Sequence, residues 1–168
     1  MNTPTRWARH LWLDAADARR ALTPAGLQRL EQAVKDSESR HLGELRLCVE
    51  AGLPAAALWH GVSPRSRAID LFSQLRVWDT EHNNGVLIYL LLADRRIEIL
   101  SDRGLHGRAS TGDLQAIAAS LSAALHAGQF EQGLTQAIHQ VGALLKQHYP
   151  NAGQQARPNE LPDAVTLI

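Results

Sequence analysis

Between Trp78 and Gly85 the chain reads Trp-Asp-Thr-Glu-His-Asn-Asn-Gly, which sets the carboxylates of Asp79 and Glu81, the imidazole of His82 and the amides of Asn83 and Asn84 in one short stretch. Oxygen donors of this kind suit a hard cation. Calcium takes about six to eight oxygens from carboxylates, Asn side chains and backbone carbonyls, and loops supply carbonyls that no strand ladder has claimed. A plainer use is open to the same residues. Asp and Asn initiate turns and Asn-Gly is a turn signal, so on spacing alone the more economical reading is a capped turn; the stretch is not an EF-hand loop. His41, His82 and His106 are a conceivable transition-metal set, but zinc sites usually use tighter sequence pairs, and solvated loop histidines are the simpler reading. Cys48 is followed by no phosphate-cradling loop and reads as a packing residue rather than a nucleophile.

These residues need elements to position them. Val86-Leu87-Ile88-Tyr89-Leu90-Leu91-Leu92-Ala93 is the most apolar run of the chain and predicts a buried central strand over 86–93. Asp94-Arg95 turns into Arg96-Ile97-Glu98-Ile99-Leu100, a second strand joined so closely that the pair must be an antiparallel hairpin. Upstream, Thr23-Pro24 starts a helix by cap and N1 proline, with Leu27, Leu30 and Val34 on one face. In Glu44-Leu45-Arg46-Leu47-Cys48-Val49-Glu50 the alternation predicts a strand with Leu45, Leu47 and Val49 on a core face. Gly52 to Val62 reads as a loop. Ser63-Pro64 repeats the helix start, with Ile69, Phe72 and Leu75 as the apolar face. Ser110 or Thr111 caps a helix carrying Leu114, Ile117, Ala118, Leu121 and Leu125, ended by Gly128. A last helix carries Phe130, Leu134, Ala137, Ile138, Val141 and Leu145 and stops before Pro150.

The expected class is α/β: a three-layer αβα sandwich with a small mixed sheet, in the order α-β-α-β-β-α-α. Residues 1–23 form an arm, 24–150 the domain, and 151–168 a linker and tail in which Ala164–Ile168 either adds an edge strand, the preferred reading, or binds a partner. A helical crossover makes the first two strands parallel. That topology brings three polar segments to one sheet edge: His41 to Glu44, Asp79 to Asn84, and Asp102 to His106. Glu44, Asp79, Glu81, Asn83, Asn84 and Asp102 then share a small region.

Lysine plus arginine and aspartate plus glutamate both number 17, without a basic or acidic block, which argues against a nucleic-acid surface. The longest apolar run is too short to span a bilayer. The N-terminus, studded with Arg6, Arg9, Asp14, Asp17, Arg19 and Arg20, lacks the apolar core of a signal peptide. With a lone cysteine and no such leader, the expectation is a cytoplasmic chain with no internal disulfide.

The stretch Trp78 to Ile88, with Ala93-Asp94-Arg95, Ile97-Glu98-Ile99 and Asp102-Arg103-Gly104-Leu105, resembles the TPM domain. That family was formerly a domain of unknown function and takes part of its name from a thylakoid-lumen acid phosphatase. The resemblance covers roughly residues 24–150. It implies a small sheet between helices and a calcium or magnesium ion near these loops. By the match, Asp79, Asn83, Asn84 and Asp102 carry over as ligands, and Glu44 joins them on geometry. Many members have a signal peptide and a membrane anchor; this chain shows neither and is similar to a short soluble subgroup. Two functions follow as expectations, beside a purely structural partnership with a membrane protein that rests on Trp7, Trp12 and Trp59. The first is a divalent-metal-binding accessory or interaction module with a protein partner. The alternative is a metal-assisted phosphomonoester phosphatase, in which a metal activates water and Arg103 holds phosphate. No Asp-x-Asp nucleophile pair, Gly-rich phosphate loop or Ser/His/Asp set supports the second.

Overall fold

The computed structural model describes residues 4–12, 20, 22–153 and 159–168, with backbone alone for His106 and Thr111. The remainder of the N-terminal arm, the linker at 154–158 and the side chain of His106 lie outside the described residues. Four strands form one mixed sheet in the order β3-β2-β1-β4, with β1 at Glu44–Glu50, β2 at Gly85–Leu91, β3 at Arg96–Ser101 and β4 at Thr166–Leu167. β1 runs parallel to β2 in the register Glu44↔Gly85, β2 antiparallel to β3 with Val86↔Ser101, and β4 parallel to β1. The central strand ends at Leu91; Leu92–Arg95 make the turn.

Side-chain alternation splits the core into two. Leu45, Leu47, Val49, Val86, Ile88, Leu90 and Ile99 face a layer of three helices: α2 (Pro24–Glu38), α6 (Thr111–His126) and α7 (Phe130–His148). Cys48, Leu87, Tyr89, Leu91 and Leu100 face α3 (Ala55–Trp59) and α4 (Pro64–Gln74). The fold is a three-layer α/β sandwich, and β2 is buried on both faces throughout. Helix starts follow local chemistry. Thr23 and Ser63 cap α2 and α4 ahead of a proline, and Ser110 with Asp113 forms a full capping box on α6.

The structure corrects several expectations. The segment 52–62 contains the short α3, because three alanines follow Pro54. The polar segment 101–107 contains α5 (Arg103–His106). On α4 the buried residues are Ala68 and Leu71, whereas Ile69 is 54% exposed; only one narrow stripe of this helix meets the sheet. Glu44 and Glu50 lie on the second face of β1, yet both are 0% exposed, because α4 and the C-terminal segment cover that face.

The arm folds back on its own domain as α1 (Pro4–Trp12). Arg6 donates both Nε and Nη2 to Asp94. His10 Nδ1 accepts from Leu53 N at 2.9 Å, so its Nε2–H donates to Asp94 at 2.9 Å. Trp7 meets Trp59 edge to face. All these contacts lie at the end of the sheet opposite the polar loops.

Candidate functional site

The edge where β1 and β2 begin and β3 ends is assembled by backbone packing that two glycines permit. A Cβ on Gly85 would sit 1.9 Å from the Val77 carbonyl oxygen, and one on Gly104 would sit 2.5 Å from the carbonyl of Asn83 and 2.6 Å from that of His82. The loop and α5 are therefore in backbone contact, tied by Gly104 N to Asn83 O at 2.8 Å and Asp102 N to Gly85 O at 2.9 Å. Gly85→Ala is expected to destabilise the domain by about 1–3 kcal/mol, as overpacking does. Chemical denaturation measures it; a wild-type midpoint would show that the Val77–Gly85 contact yields without cost.

Asn83 has φ +51°, a left-handed conformation that Asn tolerates. Its Oδ1 accepts from Arg103 Nε at 3.0 Å and Nη2 at 2.8 Å. Asn84 is buried; its Nδ2 donates to the Leu42 carbonyl at 2.9 Å, and its backbone N–H donates to Thr80 Oγ1. Asp102 caps α5, its Oδ1 accepting from Arg103 N at 2.7 Å. Its Oδ2 is buried and has no hydrogen-bond partner among the described residues. Asp79 is exposed, and so is Glu81, whose backbone N–H donates to Glu160 Oε2.

The predicted convergence thus holds for Asn83, Asn84 and Asp102, which meet around Gly85. Glu44 begins β1 at the same edge but enters a different environment. Its Oε2 accepts from Leu161 N, and it faces Glu38 beneath the C-terminal segment. Burial, then the Glu44 charge, push the Glu38 carboxyl up to about 9; its Oε1 accepts from Leu45 N at 2.7 Å. His41 is not a solvated loop residue. It is fully buried, with Nδ1 on the Gly43 carbonyl and Nε2 on Ser37 Oγ. Nδ1 donates to the carbonyl and Nε2 is engaged by the Ser37 hydroxyl, so neither nitrogen is left for a metal.

The supporting roles of Thr80, the Leu42 carbonyl, Glu160 and Leu161 escaped the sequence reading. Thr80 lies inside the motif and could have been recognised as a local turn hydroxyl. The contacts of Glu160 and Leu161 span 79 and 117 residues and leave no local signal. A shallow depression of about 460 Å³ adjoins this edge, bordered by His82, Arg108 and Tyr149 among others. The Arg108 guanidinium stacks 4.8 Å over the Tyr149 ring.

A three-layer sandwich whose parallel β1–β2 pair and β2–β3 hairpin place an Asn-Asn-Gly start beside a capped Asp-Arg-Gly turn defines the class. The chain belongs to the TPM domain family, whose profile matches residues 15–144. It is similar to the BA42 protein of the psychrophilic bacterium Bizionia argentinensis, solved by NMR: 26% identity, TM-score 0.76, with 88% of this chain and 95% of that chain covered. It is also similar to the N-terminal domain of a protein from P. gingivalis: 25% identity, TM-score 0.59, covering 76% and 80%. No curated protein matches it. Among the described residues, no helix is long and apolar enough to cross a membrane.

For the divalent ion that the family implies, the donor set fits only in part. Among the described residues no three His, Cys, Asp or Glu side chains gather to hold an ion. The Asn83 amide oxygen already holds the Arg103 guanidinium, and Glu44 lies under Leu161. Asp102 Oδ2 and the exposed Asp79 carboxylate remain, so water would have to complete most of any shell.

Proposed function

We propose that this chain is a non-catalytic binding module whose sheet edge at residues 79–84 and 102–103 captures a hard divalent cation, calcium or magnesium, with modest affinity, in support of an interaction with a protein partner. The observation that carries this reading is Asp102 Oδ2. A buried carboxylate oxygen without a hydrogen bond is costly, and a cation with its waters would satisfy it. Asp79 adds a second carboxylate on the loop that leads into the same edge. The alternative, a metal-assisted phosphomonoester phosphatase, has less support: Arg103, the residue that would hold phosphate, already turns the Nε–Nη2 side of its guanidinium onto Asn83 Oδ1.

Calcium or magnesium should raise the melting temperature by binding the native state. At ten times Kd the linkage is about 1.4 kcal/mol, or roughly 3–6 °C for a chain of this length. Asp102→Asn keeps the helix cap and should remove most of that rise, measured by thermal unfolding after chelator treatment. No shift at 10 mM ion, or a shift undiminished in the variant, would sink the reading. Metal-dependent hydrolysis of a generic phosphomonoester that disappears in the same variant would replace it with the phosphatase.

A further inference from the structure

At the far side of the sheet, β3 is an edge strand, paired with β2 on one side and with no strand on the other among the described residues. Its register fixes which backbone groups are left over. Asp102 N donates to Gly85 O, so Gly85↔Asp102 is a hydrogen-bonded pair, and by alternation Leu87↔Leu100, Tyr89↔Glu98 and Leu91↔Arg96 are too. Ile97, Ile99 and Ser101 therefore turn their N–H and C=O groups away from β2, and no described residue takes them up.

These groups do not face open solvent along a flat edge. Residues 97–101 form the floor of a groove of about 420 Å³. Leu114 and Ala118 of α6 make one wall, and Arg65 of α4, bridged to Glu98 at 3.2 Å, makes the other. A volume of that size lies within the range of ligand sites, and the outward backbone groups of β3 lie on its floor. We infer that this groove binds an extended peptide by strand addition to β3, with apolar residues at alternate positions and acidic residues between them.

The alternation follows from the two walls. Peptide residues opposite Ile97, Ile99 and Ser101 turn toward α6, where Leu114 and Ala118 offer apolar contact. Those opposite Arg96 and Glu98 turn toward α4. Glu98 is the carboxylate among the groove's lining residues and is bridged to Arg65, while Arg96, two residues along on the same face of β3, is exposed, so the charge complement on that side is acidic. Main-chain pairing supplies affinity and the side pockets supply specificity, as in other strand-addition sites. A second copy of this chain fits less well, because its β3 is recessed between the same two walls. The inference is independent of the cation reading, which concerns the loops before β2 and after β3.

The probe is a pool of acetylated, amidated hexapeptides with Val or Ile at alternate positions and Glu between them, titrated into the isotope-labelled full chain and followed by amide NMR. The amides of Ile97, Ile99 and Ser101 should shift, and a pool with Lys in place of Glu should bind at least tenfold more weakly. Arg96→Glu should reverse that preference. N-methylation of one alternate set of peptide amides should abolish binding while methylation of the other set leaves it. No shift of those three amides at millimolar peptide would overturn the inference, as would equal sensitivity to both methylation sets. Protection of the same amides by concentration-dependent dimerisation without peptide would assign the groove to a second copy instead.

Discussion

Arg67→Leu is expected to lower the unfolding free energy by about 3–5 kcal/mol, the cost of leaving a buried charge without its partner. Glu50, at the end of β1, is completely buried. Arg67 reaches it from α4 with Nε at 3.0 and 3.1 Å and Nη2 at 2.8 Å, and the Tyr89 hydroxyl donates to Oε2 at 2.6 Å. The hydrogen bond to Glu50 holds the Arg67 guanidinium above its ordinary range. Burial, then the Glu50 charge, push the neighbouring Cys48 thiol up to about 12 and the Tyr89 hydroxyl up as well, so both stay protonated. Without Arg67, the Glu50 carboxylate keeps only the Tyr89 hydroxyl in a site closed to water. Replacing both charges, Glu50→Leu with Arg67→Leu, should fall much closer to wild type, since well-packed apolar residues can replace a buried ion pair at little cost. Urea denaturation of the two single variants and the double variant measures the coupling. A single Arg67→Leu within 1 kcal/mol of wild type would mean that water reaches Glu50 and the network is not sealed.

That network also shows where sequence reading reaches its limit. The order of elements, the parallel pairing of β1 and β2 and the buried β2 were legible, because each is written in a local pattern: a proline-capped helix start, an alternating strand, an uninterrupted apolar run. The polar face of β1 was legible as alternation, but not as interior. Glu44, Arg46 and Glu50 have the pattern of a solvated face, and what buries them is partnership with residues distant in sequence. Arg67 comes from the next helix, and Arg46 donates to Thr166 and to the Pro162 carbonyl in the C-terminal segment. Periodicity reports which residues share a face; it does not report what covers that face. The candidate site divides the same way. Asn84 and Asp102 were placed correctly at one edge because topology alone brings them there. The diversion of Glu44 into a buried carboxyl cluster, and of Asn83 to Arg103, depended on contacts over tens of residues.

The buried cluster leads to the second large effect: Glu38→Gln is expected to stabilise the protein at pH 8 by a few kcal/mol and to change it little near pH 4. Glu38 ends α2 beneath the C-terminal segment, close enough to Glu44 and Asp163 for both to act on its carboxyl. Burial is the largest cause of its carboxyl standing at about 9, and the Glu44 charge is the next. The unfolded chain releases the same proton near the ordinary value of 4.5. Between those limits the native state keeps a proton that the unfolded state has given up. Stability therefore falls as pH rises, by at most about 1.4 kcal/mol per pH unit. The contribution is fully present below 4.5 and is lost on passing through 9. Glutamine copies the protonated acid: its amide oxygen can accept from Leu45 N and its NH₂ can donate to Asp163, with no proton to lose. Denaturation at pH 4.5, 6.5 and 8.5 should show the variant with a flatter profile, its advantage growing across the series. Parallel profiles for the two proteins would show that Glu38 is ionised in the native state and that its proximity to Glu44 and Asp163 is tolerated as charge.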